Sequence, residues 1–144
     1  MRLEDIRKMA QEDSVIDDTE LDLESLKLPQ LHNKYLNIYH DEKLFLLKNE
    51  SDLKKAIRIK WEYYTGKLDN DSLQELGLEP FPLKILKQDL DKYLESDDDI
   101  TELNHKYIYQ KEKVEYLSSI LKELTNRHWK IRNAIEWRKF VSGV

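Results

Sequence analysis

Residues 100–141 read ITELNHKYIYQKEKVEYLSSILKELTNRHWKIRNAIEWRKFV. Counted at a 3-4-3-4 spacing, they place Leu103, Tyr107, Gln110, Val114, Leu117, Leu121, Leu124, His128, Ile131, Ile135 and Arg138 along one line. Eight of these eleven are apolar over about five heptads, which is the periodicity of a coiled coil. One helix over this range would be about 63 Å long at ~1.5 Å per residue. Such a helix needs something to bury its seam against.

The positions beside the seam bear on the number of neighbours. In a two-stranded coil they are long charged residues that pair across the interface. Here they include Ser118, Ile120, Thr125 and Ala134, while Tyr116, Trp129, Trp137 and Phe140 extend a second apolar surface. A wider apolar face contacts two neighbours, which favours a bundle or ring of identical subunits. Leu103, Tyr107, Val114, Leu117, Leu121, Leu124, Ile131 and Ile135 are the expected oligomerisation residues, with Gln110 and His128 setting the register. The competing arrangement is an intrachain bundle with the earlier helices.

Upstream, Ser96–Asp99 offers an N-cap and favourable acids for the final helix. A shorter helix is expected over 83–95, with Leu83, Ile85, Leu86, Leu90 and Leu94 apolar. Residues 66–82 hold two of the three glycines and two of the three prolines and read as a connector with one helical turn. A long helix is expected from Pro29, which stops or kinks what precedes it, to about Thr65, with Gly66 as terminator. Asp18 or Thr19 supplies helix-start chemistry, and a short amphipathic helix covers about Leu3 to Glu12. The expected fold is all-α, with a helical N-terminal region (1–66), an acidic connector (67–99) and a C-terminal oligomerisation helix (100–144).

Composition agrees. The chain has 144 residues, 40% hydrophobic and 37% charged, which lies on the long-helix side of average usage. It contains no cysteine, so disulfides and cysteine metal sites are excluded. Its longest apolar run is Leu44–Leu47, too short for a membrane span or the core of a signal peptide. An intracellular, soluble protein is expected. The net charge of −5 is unevenly spread: residues 26–68 carry nine basic against five acidic side chains and 103–144 nine against four, whereas 1–25 and 69–102 are acidic.

The first basic segment contains KKAIRIKWEYYTG at 54–66. At 100° per residue, Leu53, Ile57, Trp61 and Tyr64 form the expected buried stripe. Lys54 and Arg58 flank it on one side and Lys60 on the other, with Lys67 near Lys60, while Ile59 and Tyr63 form an uncovered apolar patch. Cations that track phosphates beside aromatic faces that stack bases are what sequence-independent single-strand binding calls for. Lys54, Lys55, Arg58, Lys60, Trp61 and Lys67 are therefore the candidate DNA contacts, against a plain alternative of a doubly buried helix with solvated lysines. A second basic cluster, Arg127, Lys130, Arg132, Arg138 and Lys139 with Trp129 and Trp137, competes with a helix-dipole role.

Catalytic chemistry finds no support. The four histidines, His32, His40, His105 and His128, have no metal-ligand spacing, and there is no glycine-rich phosphate loop or nucleophile elbow. Asp97–Asp99 near His105 reads as a helix cap rather than a cation site. No enzyme activity, metal or cofactor is expected.

With these residues in place, the sequence resembles the UvsY recombination mediators of T4-like bacteriophages. The likeness begins at MRLED, is sharpest at IRIKWEYYTG (57–66), and returns at WRKFVSG (137–143). The middle stretch is similar to that family's lysine-x-arginine-leucine run, with Arg58 and Lys60 at the two cationic positions in exchanged order and Trp61 in place of leucine. The exchange keeps phosphate neutralisation but alters hydrogen-bond geometry. The resemblance implies a non-enzymatic accessory of phage recombination, repair and replication in the host cytoplasm. It implies binding to single-stranded DNA, contacts with the phage recombinase and single-strand-binding protein, and a closed homo-oligomeric ring of the hexamer or heptamer class. The rival reading is an adaptor coiled coil whose partners are proteins only.

Overall fold

The computed structural model describes residues 1–143, and among these there is no strand. In chain order come α1 (Leu3–Asp13), α2 (Leu21–Tyr64), α3 (Asn70–Leu76), a 3-10 turn (Lys87–Asp89), α4 (Leu90–Glu95) and α5 (Asp98–Ser142). The chain forms two compact units, one of residues 1–43 with those from 112 onward, the other of residues 44–111.

The first unit is built on the expected seam. Leu117 and Leu124 are 0% and 4% exposed and pack with Ile6 of α1 and Tyr35 of α2. Val114 and Ile131 are buried as well, and Leu121 packs on the same cluster. The stripe that the sequence assigned to contacts between copies thus lies largely inside one chain, against the two earlier helices. Of the other seam positions, Leu103, Tyr107 and Ile135 are half-buried and His128 is exposed. Large apolar surface on α5 remains at Trp129, Trp137, Phe140 and Val141, all more than half exposed.

Pro29 does not stop a helix. It lies within α2, which starts at Leu21. The reason is register: Leu21, Glu24, Leu28, Leu31 and Tyr35 follow the same 3-4 spacing on both sides of the proline and are buried or half-buried, while Pro29 is exposed. Docking of that continuous stripe outweighs the lost backbone bond and the ring clash. The turn before α2 is fixed by Asp17, whose carboxylate accepts from the Thr19 N–H (3.0 Å) and hydroxyl (2.6 Å).

Charged groups close the end of α1. The Asp13 carboxylate accepts hydrogen bonds from Tyr35 Oη (2.6 Å) and Lys34 Nζ (2.7 Å). Its carbonyl accepts from Arg127 Nη1 at 2.8 Å. Arg127 is 3% exposed and is also held by Glu123 on its own helix. A cation at a helix C-terminus satisfies free carbonyls and the helix dipole together. This member of the C-terminal basic cluster is structural. Burial alone would raise the Asp13 pKa, but the bonds from Lys34 and Tyr35 outweigh it, and the carboxyl titrates below its ordinary value.

In the second unit, α2 ends where Gly66 adopts φ 74°, and the Lys67 N–H returns to the Glu62 carbonyl at 2.8 Å. The left-handed conformation is cheap only for glycine. Asp69 caps α3 through the Ser72 N–H (2.7 Å). The helix expected over 83–95 begins later than the sequence suggested: residues 83–86 are irregular, and Leu83 and Leu86 are exposed. Asp97 caps α5 by accepting from the Ile100 N–H (3.0 Å), with Asp98 and Asp99 in the first turn.

Two outcomes test this packing. Leu117→Ala should cost about 2–5 kcal/mol in urea denaturation, the range for truncating a fully buried leucine. Asp13→Asn should lower the melting temperature at neutral pH. Because the Asp13 pKa is depressed on folding, its contribution is present above about pH 3.8 and fades as pH falls through the lower folded value. The gap between wild type and variant should therefore shrink in acid.

Candidate nucleic-acid interface

The basic–aromatic stretch forms the last three turns of α2, in the second unit. Residues 54, 58 and 61 recur at i, i+4 and i+7, and so share one face of the helix. The structure leaves that face open: Lys54, Arg58 and Trp61 are all exposed, as is Lys55 on the neighbouring face. Lys54 pairs with Glu50 (3.4 Å) and Arg58 with Glu62 (3.2 Å), both through i, i+4 contacts. Exposed pairs of this kind hold their cations weakly, so a phosphate can compete for them. Among the described residues Lys55 has no ion pair.

Trp61 is 38% exposed. The buried stripe read from the sequence therefore fails at two of its members, Ile57 and Trp61, whose faces reach solvent. Past the turn at Gly66, Lys67 folds back and sets its ammonium 4.1 Å from the centre of the indole ring. Both partners are exposed, so the contact over this electron-rich ring contributes about 0.5–1 kcal/mol. It brings a fifth cationic or aromatic group to the same ridge.

Lys60 behaves differently. Its side chain is 12% exposed and pairs with Asp99 (2.8 Å) and Asp97 (3.3 Å) at the start of α5. Burial opposes its charge, but the hydrogen bond to Asp99 and the negative charge of Asp97 prevail, and the ammonium's pKa lies above its ordinary value. Tyr64 donates to the same Asp97 at 2.6 Å. Burial and that bond push the Tyr64 pKa well up. For Asp97, burial is outweighed by the bonds from Tyr64 and the Ile100 N–H and by the Lys60 charge, which hold its carboxyl low. Lys60 thus ties the end of α2 to the N-terminus of α5, and Asp97 and Asp99 are occupied by that work.

Nor does the second apolar patch stay uncovered. Tyr63 donates to the Glu79 carbonyl (2.9 Å) and packs on Phe81 with ring centres 5.7 Å apart. Phe81 also meets Tyr64 edge-on at 5.0 Å, and Tyr93 closes the cluster. Ile59 is half-buried. The irregular segment after α3 covers this side of the helix, and its far edge bounds a groove of about 810 Å³ beside Trp61. Lys67, Lys84 and Lys87 line that groove. The last two drew no notice in the sequence, where they are isolated lysines in an acidic stretch.

The described residues contain no group of acids and histidines placed to hold a metal ion, and no helix long and apolar enough to cross a membrane. In the second basic cluster, Lys130 and Arg138 are exposed, and Arg132 lies 5.7 Å from the Trp129 ring.

Known proteins match this arrangement over nearly its full length. The chain is 27% identical to the recombination protein uvsY of Enterobacteria phage T4 over 143 residues, or 99% of each. Two crystal structures of the bacteriophage T4 recombination mediator protein UvsY superpose at 26% identity. Lattice type IV gives a TM-score of 0.86 over 97% of this chain and 99% of that one. Lattice type II gives 0.87 over 99% and 98%. The model of the family described as recombination, repair and ssDNA binding protein UvsY matches residues 9–144. A match across all but the first eight residues, on a shared all-α fold, settles kinship: the chain belongs to the UvsY family of recombination, repair and single-stranded-DNA-binding proteins.

Proposed function

We propose that this protein is a recombination mediator that grips single-stranded DNA on the exposed ridge of α2 and helps load a strand-exchange recombinase onto strands covered by single-strand-binding protein. The observation that carries the reading is the ridge itself: Lys54, Arg58 and Trp61 exposed on one helical face, Lys55 exposed beside it, and Lys67 folded onto the indole. Cations there meet phosphates and the aromatic face meets bases, without base-edge readout. Lys60 supports the ridge from behind rather than touching DNA. The role is one of binding and hand-over, not of catalysis.

In this reading, residues 1–66 hold the DNA-binding surface, 67–99 the acidic connector and 100–144 the assembly element. Copies associate into a ring through the exposed apolar surface of α5 at Trp129, Trp137, Phe140 and Val141. A monomer seldom leaves that many large apolar side chains in water. Repeating a modest cationic patch around a ring raises affinity without any new contact, by effective concentration.

Titration with oligo-dT at several salt concentrations tests the DNA surface. Affinity should fall steeply with ionic strength, and Lys54→Ala with Arg58→Ala should flatten the slope by about 0.7 per cation removed. Lys60→Ala should instead lower the melting temperature, because Asp97 and Asp99 lose their partner. An unchanged slope in the double variant would count against the ridge. In strand-exchange assays on covered DNA, the wild type should shorten the lag and the double variant should not.

Light scattering tests the assembly. The wild type should show a mass of several subunits, and Trp137→Ser with Phe140→Ser should reduce it while helicity is kept. A monomeric wild type would sink the ring.

A further inference from the structure

The groove beside Trp61 stays unused by the ridge alone. It lies entirely within the second unit, between the last turn of α2 and residues 81–90. Trp61 and Tyr64 line it from α2 and Phe81 from the irregular segment. Leu83 and Leu86 also border it and are 57% and 62% exposed, although a chain this polar has ample charged residues for its surface. Lys67, Lys84 and Lys87 stand around it. Residues 69–102 carry eleven acids and only three basic side chains, so two of those three are gathered at this one depression.

We propose that this groove takes a base of the bound single strand, with Lys67, Lys84 and Lys87 neutralising the phosphates on either side of it. The inference rests on the DNA-binding reading above and adds to it a second wall, supplied by the connector. Three arguments choose this occupant. The cations call for a polyanion. The aromatic and leucine lining calls for flat apolar faces rather than for phosphate alone. And Trp61 belongs to both ridge and groove, so a strand tracking Lys54 and Arg58 reaches the groove without a gap. An apolar pocket of this size with a few charged groups at its edge is typical of ligand sites. The connector, acidic overall, would then repel DNA everywhere except along this line.

The experiment measures binding of oligo-dT, and of an abasic oligodeoxyribonucleotide of equal length, to full-length variants whose melting temperatures match wild type. Lys84→Ala with Lys87→Ala should weaken oligo-dT binding and flatten the salt slope by about 1.4, which is 0.7 for each cation. The charge-matched control, Lys92→Ala with Lys122→Ala, should leave both unchanged. Wild type should bind the abasic strand about tenfold less tightly than oligo-dT. Oligo-dT should quench tryptophan emission in wild type but much less in Trp61→Phe. If Arg58→Ala weakens binding while the Lys84/Lys87 variant matches its control and the abasic strand binds as well as oligo-dT, the groove assignment is wrong and the ridge stands. If wild type binds no oligo-dT, both fall. If the Lys84/Lys87 variant keeps its DNA affinity but loses binding to an acidic, aromatic peptide, the groove is a protein site and the proposal is overturned.

Discussion

The 3-4 stripe of α5 needs cover, and the protein covers its middle with its own N-terminal helices. Leu117 and Leu124 find Ile6 and Tyr35, and every large element of the first unit takes its place from that contact. The same demand carries α2 through Pro29. A proline inside a helix removes a backbone bond and crowds the preceding turn, yet the leucines and tyrosine on either side dock in one continuous register. Ending the helix there would expose one half of the stripe. Polar groups then finish what the apolar core begins, with Arg127 and Tyr35 closing on Asp13 at the end of α1.

In the second unit the organising interaction is ionic. Lys60, Asp97, Asp99 and Tyr64 join the last turns of α2 to the first turn of α5 through three polar contacts, two of them short. A partly buried charge is costly unless it is paired and hydrogen-bonded, and here each partner satisfies the others. The consequence for function is a division of labour within one basic stretch. Lys60 is committed to holding the helix, which fixes the opposite face, with Lys54, Arg58 and Trp61, toward solvent. The two side chains suit their places: half-buried position 60 holds the compact ammonium, and exposed position 58 holds the planar guanidinium.

Local signals were the ones that could be read in advance. Gly66 as a terminator, a cap within Ser96–Asp99 and the long final helix each depend on a few neighbouring residues, and each is present in the structure, the cap being Asp97. The motif at 57–66 carried the family kinship for the same reason. Solvent exposure was less legible. The buried stripe expected on α2 placed Trp61 inside, and the patch of Ile59 and Tyr63 outside; Trp61 is exposed, and Phe81 covers the patch. Helical periodicity gives the angle between side chains but not which angle meets the rest of the chain. Lys84 and Lys87 carried no signal at all, being two cations in an acidic connector.

The sequence by itself determined that the chain is helical, where its longest helix begins and ends, and to which family it belongs, because periodicity, caps and motifs are properties of neighbouring residues. Only the tertiary structure decided which lysine is spent on the fold and which stay exposed, since Lys60 meets Asp97 and Asp99 across nearly forty residues. It also decided that Val114, Leu117, Leu124 and Ile131 of the α5 seam are buried within the chain and that a basic groove opens beside Trp61. Burial is a property of the surface that arrives from elsewhere. No run of letters around a residue contains it.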